Sequence, residues 1–228
     1  MKLGVLYSGG KDSTFALYWA LKNSHDVKCL ISLKSERADS YMFQVANIEI
    51  AKLSAEALGI PIVFEKTSGI KEKELDDLKR AVEKAKKEFG IEGIVAGALA
   101  SNYQKERVEK ICIPLGLKVF APYWHYDAEK YLHEIVSAGF KVIFTRVAAL
   151  GLTEKWLGRV LDEKAIEDLV ELNLEYRVHI GGEGGEYESL VIDGPIFKKK
   201  IDILETEEKW QRDEGELIIT KAKLIDRS

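Results

Sequence analysis

Apolar positions over residues 1–125 fall into two alternating patterns. Short, nearly continuous apolar runs at Leu3 to Tyr7, Val27 to Leu33, Ile62 to Glu65, Ile94 to Ala96 and Lys118 to Phe120 read as strands buried on both faces. Between them, over 13–23, 44–58, 70–89 and 102–115, apolar residues recur at helical spacing. Strands without a polar face, separated by helices, predict a parallel sheet covered on both sides through right-handed crossovers. The expected fold is α/β, with a doubly wound, Rossmann-like N-terminal domain. Such sheets bind ligands beyond the carboxyl ends of their strands, which directs attention to residues 8–13, 34–43, 66–69, 97–102 and 121–127.

After "APYWHYD" the pattern changes. A helix over Glu129 to Ala138 and a strand over Lys141 to Val147 continue the alternation, and a further helix is expected near 162–171. From Ser189 onward, "SLVIDG", "KKIDILETEEKW" and "ELIITKAKLID" read as antiparallel strands, the last alternating apolar and polar as a half-solvated sheet does. This predicts two domains, 1–127 and a smaller α+β domain over 128–228.

Composition sets the class. A hydrophobic content of 46% over 228 residues is ample for a core, and no apolar run approaches the roughly 18 residues of a membrane span. "MKLGVLYSGG" enters a strand directly, so a cytoplasmic protein is expected. Cys29 and Cys112 lie far apart with no Cys-x-x-Cys pair, which reads as two buried reduced thiols. A net charge of −4 provides no field for bulk nucleic-acid binding, and "FKKK" and "KAKK" read as solvated faces. A charged fraction of 32%, rich in Lys and Glu, fits heat adaptation.

The first candidate chemistry is "YSGGKDS". Gly9 and Gly10 permit positive φ and leave no Cβ in the way, so successive N–H groups can converge on a phosphate. The following helix adds its positive end, Ser8 and Ser13 add hydroxyls, Lys11 adds charge, and Asp12 can cap the helix or hold a metal ion. The spacing is neither a Walker loop nor Gly-x-Gly-x-x-Gly. An ordinary capped turn is the plainer reading of the same residues.

Two other stretches stand out. In "GALASNYQKERVEKICIPLGL", Ser101 and Gln104 have capping-box spacing, and Gln104 and Arg107 share a helix face, from which Arg107 can reach an anion or pair with Glu106 or Glu109. Ala96 and Gly97 leave room for an adenine ring near the backbone. In "HIGGEGGEYES", Gly181, Gly182, Gly184 and Gly185 expose backbone N–H groups beside Glu183, Glu186 and Glu188, a set of carboxylates that suits a cation or an ammonium as well as a solvated loop.

"SGGKDS" resembles the PP-loop signature of the N-type ATP pyrophosphatases, which implies a HUP-type sheet, a grip on ATP, and cleavage to AMP and pyrophosphate. With "LGIP", "GALASNYQKERVEKIC", "APYWHYD" and "GEGGEYESLVIDGPIF", the chain resembles the diphthine–ammonia ligase family over nearly its whole length. The resemblance implies a ligase that amidates diphthine on elongation factor 2 with ammonium, using ATP and Mg²⁺ and passing through an acyl-adenylate. It implies that Ser8, Gly9, Gly10, Lys11, Asp12, Ser13, Ser32, Leu33 and Gly97 hold ATP, with Asp12 on the metal. Ser101, Tyr103, Gln104, Arg107, Gly184, Gly185 and Tyr187 are then expected to bind the acceptor, and Lys11, Arg107, Glu183, Glu186 and Glu188 to take part in catalysis. Ala98, Asn102 and Lys105 depart from residues frequent in the family. A tRNA thiolation-type enzyme and a non-catalytic ATP or AMP sensor are the alternatives, and the oligomeric state, a homodimer included, is left open.

Overall fold

The structure, a computed structural model, describes residues 1–35, 50–67, 73–97 and 102–227. Five strands, β1 (Lys2–Leu6), β2 (Asp26–Ser35), β3 (Ile62–Thr67), β4 (Gly93–Val95) and β5 (Lys118–Phe120), form a parallel sheet in the order β3-β2-β1-β4-β5. Helices α1 (Lys11–Lys22), α2 (Ile50–Leu58), α3 (Lys73–Phe89) and α4 (Asn102–Cys112) make the connections. The chain steps from β1 out to β2 and β3, then returns past β1 to β4 and β5. Strand order therefore reverses between β1 and β4, and the carboxyl ends of those two strands flank the crevice where doubly wound sheets bind ligands.

The second half begins with α5 (Ala128–Ser137), followed by β6 (Lys141–Val147), α6 (Glu163–Tyr176), β7 (Tyr187–Asp193), β8 (Lys199–Gln211) and β9 (Glu214–Asp226). Its four strands form a separate antiparallel sheet in the order β7-β6-β9-β8. The strand expected over Lys141 to Val147 is β6, which lies between β7 and β9, antiparallel to both. Its residues are buried at Val142 to Thr145 and at Val147, as in any central strand, and such a run does not name its partner.

Helix ends also moved. The helix expected over 102–115 stops at Cys112, because Pro114 disfavours helical geometry at the residue before it and supplies no N–H. The helix expected near 162–171 runs on to Tyr176 and closes on Arg177, which adopts a left-handed φ of 63°. Of the helix expected over 44–58, residues 44–49 lie outside the described residues.

The buried side chains form two clusters. The smaller joins Ile31, Val63 and Ile94 to Leu78, Val82, Val108 and Cys112 beneath α3 and α4. The larger runs through both sheets, with Leu3, Val5, Phe15 and Leu17 on one side and Leu132, Phe144, Tyr187 and Leu190 on the other. Helix α1 packs on its own sheet and also on β7. This shared core carries the phosphate-type turn of the first half against the glycine-rich loop of the second. Among the described residues no helix is long and apolar enough to cross a membrane.

Candidate active site

At the end of β1 the chain turns sharply into α1. Gly9 takes φ 87°, a left-handed conformation, and a Cβ there would stand 3.3 Å from a Leu190 methyl. Ser8 and Ser13 close the turn. The Gly10 N–H donates to Ser8 Oγ at 3.3 Å, and Ser13 Oγ donates to the Gly10 carbonyl at 3.1 Å. Gly10 is the N-cap and supplies no side-chain cap, so no side chain of the turn closes off the first N–H groups of α1 in the way that a capping Ser or Asp does. The expected cap role of Asp12 is corrected: its Oδ2 accepts from Lys11 Nζ at 2.9 Å instead.

The crevice side of this turn is fitted to β4. A Cβ on Gly97 would lie 2.5 Å from the Asp12 carbonyl oxygen and 2.6 Å from the Ser13 nitrogen, so only glycine lets α1 approach that strand. Ser32 lies buried near the end of β2, with its Oγ making no hydrogen bond, while the neighbouring Leu33 side chain belongs to the smaller core. Arg107 sits partly buried in α4. Ser101 lies outside the described residues, as do the side chains of Tyr103 and Gln104 in the first turn of α4.

The second half supplies the opposite wall. The Val191 N–H donates to the Gly9 carbonyl at 2.9 Å, and the Lys11 N–H donates to Ser189 Oγ at 3.2 Å. Lys11 Nζ, only 3% exposed, donates to the Gly181 carbonyl at 2.7 Å and stands 5.0 Å from the centre of the Tyr187 ring. Burial by itself would pull this ammonium toward neutrality; the Asp12 carboxylate and its hydrogen bond, with Tyr187 and Glu183 adding, outweigh it and hold it above its ordinary pKa. Burial raises Tyr131 and Tyr187, with Asp12 adding to each and Lys11 opposing at Tyr187. Asp12 Oδ1 and the Tyr131 hydroxyl are both buried, and the two side chains interact with each other. One polar knot, the charged Lys11, Asp12 and Glu183 with the neutral phenols of Tyr131 and Tyr187, thus occupies the seam.

The three glutamates of the loop take different partners. Glu183 acts electrostatically on Lys11, Tyr131 and Tyr187. Glu186 serves the loop itself: its Oε1 accepts from the His179 N–H at 3.3 Å and its Oε2 from the Gly184 N–H at 2.7 Å. Glu188 follows Tyr187 on β7 and so points to the other face of the sheet, opposite Arg146 on β6. There its Oε1 lies 3.9 Å from Arg146, its buried Oε2 has no partner, and burial, partly countered by Arg146 and reinforced by Glu216, pushes its carboxyl up to about 7. Gly184 and Gly185 form the exposed tip, Gly185 with φ 87°.

Of the expected site residues, Lys11, Asp12, Glu183 and Tyr187 meet at the seam, while Glu188 faces the other side of β7; His179, Ser189 and Tyr131, which help to hold them, are not among those expected. His179, Gly181 and Ser189 belong to a stretch already conspicuous for glycine and acid. Tyr131 carried no signal beyond an apolar position on a helix.

A divalent ion suits one position. Asp12 Oδ1 is a buried carboxylate oxygen beside Tyr131, while among the described residues no group of three or more His, Cys, Asp or Glu can hold a metal. Such a site fits Mg²⁺, which takes one or two carboxylates and completes its shell with water and substrate phosphates.

Comparison with known proteins adds the family. Residues 1–119 match the family model for the diphthamide synthase N-terminal domain, and residues 127–225 match that for the diphthamide synthase C-terminal domain. Relatives named diphthine–ammonia ligase include one from Danio rerio, 36% identical over 100% of this chain and 98% of its own, and one from Homo sapiens, 36% identical over 88% of this chain and 82% of its own. Another, from Schizosaccharomyces pombe, is 37% identical over 98% of this chain, which spans only 39% of that longer protein. A solved chain titled a predicted subunit of tRNA methyltransferase, from Methanocaldococcus jannaschii, aligns at 17% identity and a TM-score of 0.39 over 77% of this chain and 88% of its own, too loosely to carry an argument. Matched by both domain models and by relatives over nearly its whole length, the chain belongs to the diphthamide synthase family, a family of ligases.

Proposed function

We propose that the protein amidates diphthine on elongation factor 2, consuming ATP and ammonium and releasing AMP and pyrophosphate. The observation that carries the reading is the Lys11 bridge. It ties a phosphate-type turn to a glycine- and glutamate-rich loop, so a nucleotide held by one lies beside a group held by the other. The division of labour follows the two halves, with residues 1–127 presenting ATP and residues 128–228 the acceptor loop.

In this scheme the N–H groups at the start of α1, with Ser8 and Ser13, bind the phosphates. Asp12 would hold Mg²⁺, which would supply neutralisation of the phosphate charge. The diphthine carboxylate attacks the α-phosphorus and pyrophosphate leaves, giving an acyl-adenylate. Ammonia, formed when ammonium gives up a proton, attacks the acyl carbon; AMP departs and the new amide loses a further proton. Glu183 is our candidate to hold ammonium and take the first proton, because it stands with Lys11 and Asp12. Glu186 is engaged by backbone N–H groups and Glu188 faces away across β7, which argues against either in that role. Lys11 and Arg107 counter phosphate charge.

A thiolation enzyme needs accessible sulfur. Both cysteines are buried, and burial pushes each thiol up to about 12, with Glu88 adding at Cys29, so the thiolate such chemistry requires is suppressed. Turnover of Glu183→Gln at limiting ammonium tests the assignment: a loss of amidation with acyl-adenylate still formed supports it, and unchanged turnover removes Glu183 from the step.

A further inference from the structure

The glycine-rich loop has a hub that the reaction scheme does not use. His179 touches the loop through its backbone and its ring. Its N–H donates to Glu186 Oε1 at 3.3 Å, and its carbonyl accepts from the Gly182 N–H at 2.9 Å. Its Nδ1 accepts from the Gly181 N–H at 3.1 Å and from the Glu183 N–H at 3.4 Å. A ring nitrogen receiving two N–H groups presents its lone pair, so the imidazole is neutral and carries its proton on Nε2.

What that nitrogen fixes is specific. Gly181 is the residue whose carbonyl receives Lys11 Nζ at 2.7 Å, and Glu183 is the carboxylate beside the same lysine. The intervening Gly182 takes φ 72°, and a Cβ there would lie 2.9 Å from the Tyr187 ring. The backbone of 181–183 can therefore follow this path only as a tight turn, and the Nδ1 of His179 holds both ends of it. A loop of glycines has no side chains to order it; without the ring, each N–H would be free to turn to water.

We propose that His179 is a positioning residue, whose unprotonated Nδ1 holds Gly181 and Glu183 so that the Lys11 bridge and the acceptor-side carboxylate are set together before substrate binds. The inference deepens the proposed function and rests on it for its kinetic consequence, but the tautomer and the turn do not depend on the reaction.

Two measurements test it. In the wild-type protein, long-range ¹H–¹⁵N correlation on the histidine ring is expected to show His179 protonated on Nε2 alone at neutral pH; a proton on Nδ1 overturns the proposal whether or not the protein amidates diphthine. Kinetics then compare three variants. Asn carries its acceptor where Nδ1 stands, whereas Gln carries it where Nε2 stands and Ala carries none. His179→Asn is expected to stay within about threefold of wild type, while His179→Gln and His179→Ala lose ~10- to 100-fold in kcat/KM for ammonium through misplacement of the loop. Thermal melting of His179→Gln separates a misplaced loop from an unfolded chain. Equal loss in the Asn and Gln variants, or no loss in either, refutes the assignment. Failure of the wild type to amidate counts against the proposed function alone, since the ring correlation still decides the placement of His179.

Discussion

Lys11 Nζ donates to the carbonyl of Gly181, 170 residues further along the chain, at 2.7 Å, and to the carboxylate of its neighbour Asp12 at 2.9 Å. The side chain is buried, so the ammonium has given up its water for these partners and the Tyr187 ring. Replacing Lys11 by Met keeps the stem and removes the charge. The expected result is a loss of ~100-fold or more in kcat/KM for ATP, the scale found when one preorganised donor at a reacting centre is removed, read from AMP release. Asp12 then remains with a charge that has lost its partner, so a lower melting temperature is also expected.

Gly97 tests the packing of the crevice. Any Cβ would drive into the backbone of Asp12 and Ser13, which cannot yield as a flexible side chain does. Gly97→Ala is expected to destabilise the fold by about 1–3 kcal/mol and to weaken ATP binding, because relief requires α1 to move off β4. Calorimetric unfolding and ATP titration measure the two effects; an unchanged melting temperature contradicts the fit.

Glu188 makes stability depend on pH. Its folded pKa is about 7 against an ordinary 4.5, so between those values the folded state holds a proton that the unfolded state has released. Stability from this group is therefore full below 4.5 and declines as pH rises toward 7. Glu188→Gln removes the decline and is expected to raise stability above pH 7 by at most about 3 kcal/mol, the limit set by the size of the shift, less whatever the Arg146 pair contributes. Urea midpoints of the two proteins across this range give the answer, and parallel curves contradict the account.

Cys29 and Cys112 are fully buried, with thiols pushed up to about 12. Neither is expected to react with a thiol reagent in the folded protein at neutral pH, and both are expected to react in denaturant. Cys29→Ala and Cys112→Ala each leave a small cavity and cost stability, while AMP formation continues. Loss of turnover in a folded variant contradicts this.

The fold was legible where its causes are local. An apolar run, two glycines and a polar helix start define the turn at 8–13 from a few consecutive residues, and the parallel sheet follows from strands that lack a polar face. The second sheet was legible as strands but not as an order, since β6 meets Val191 and Gly215 through partners distant in sequence. The candidate site divides in the same way. Lys11, Asp12 and Glu183 could be named from their stretches, yet nothing near Lys11 in sequence points to Gly181 or Ser189. Glu188 stands near Glu183 along the chain, but strand alternation carries it to the opposite face. The part that His179 plays is not legible in the sequence, because its ring serves neighbouring backbone, which residue type alone does not announce.

The most direct measurement is the mass of diphthine-bearing elongation factor 2 incubated with this protein, ATP, Mg²⁺ and ammonium. The account predicts conversion of one carboxyl to a carboxamide, dependent on all three small molecules, with one AMP and one pyrophosphate released per amide. An unmodified elongation factor, or an amide formed with release of ADP and phosphate, would contradict it.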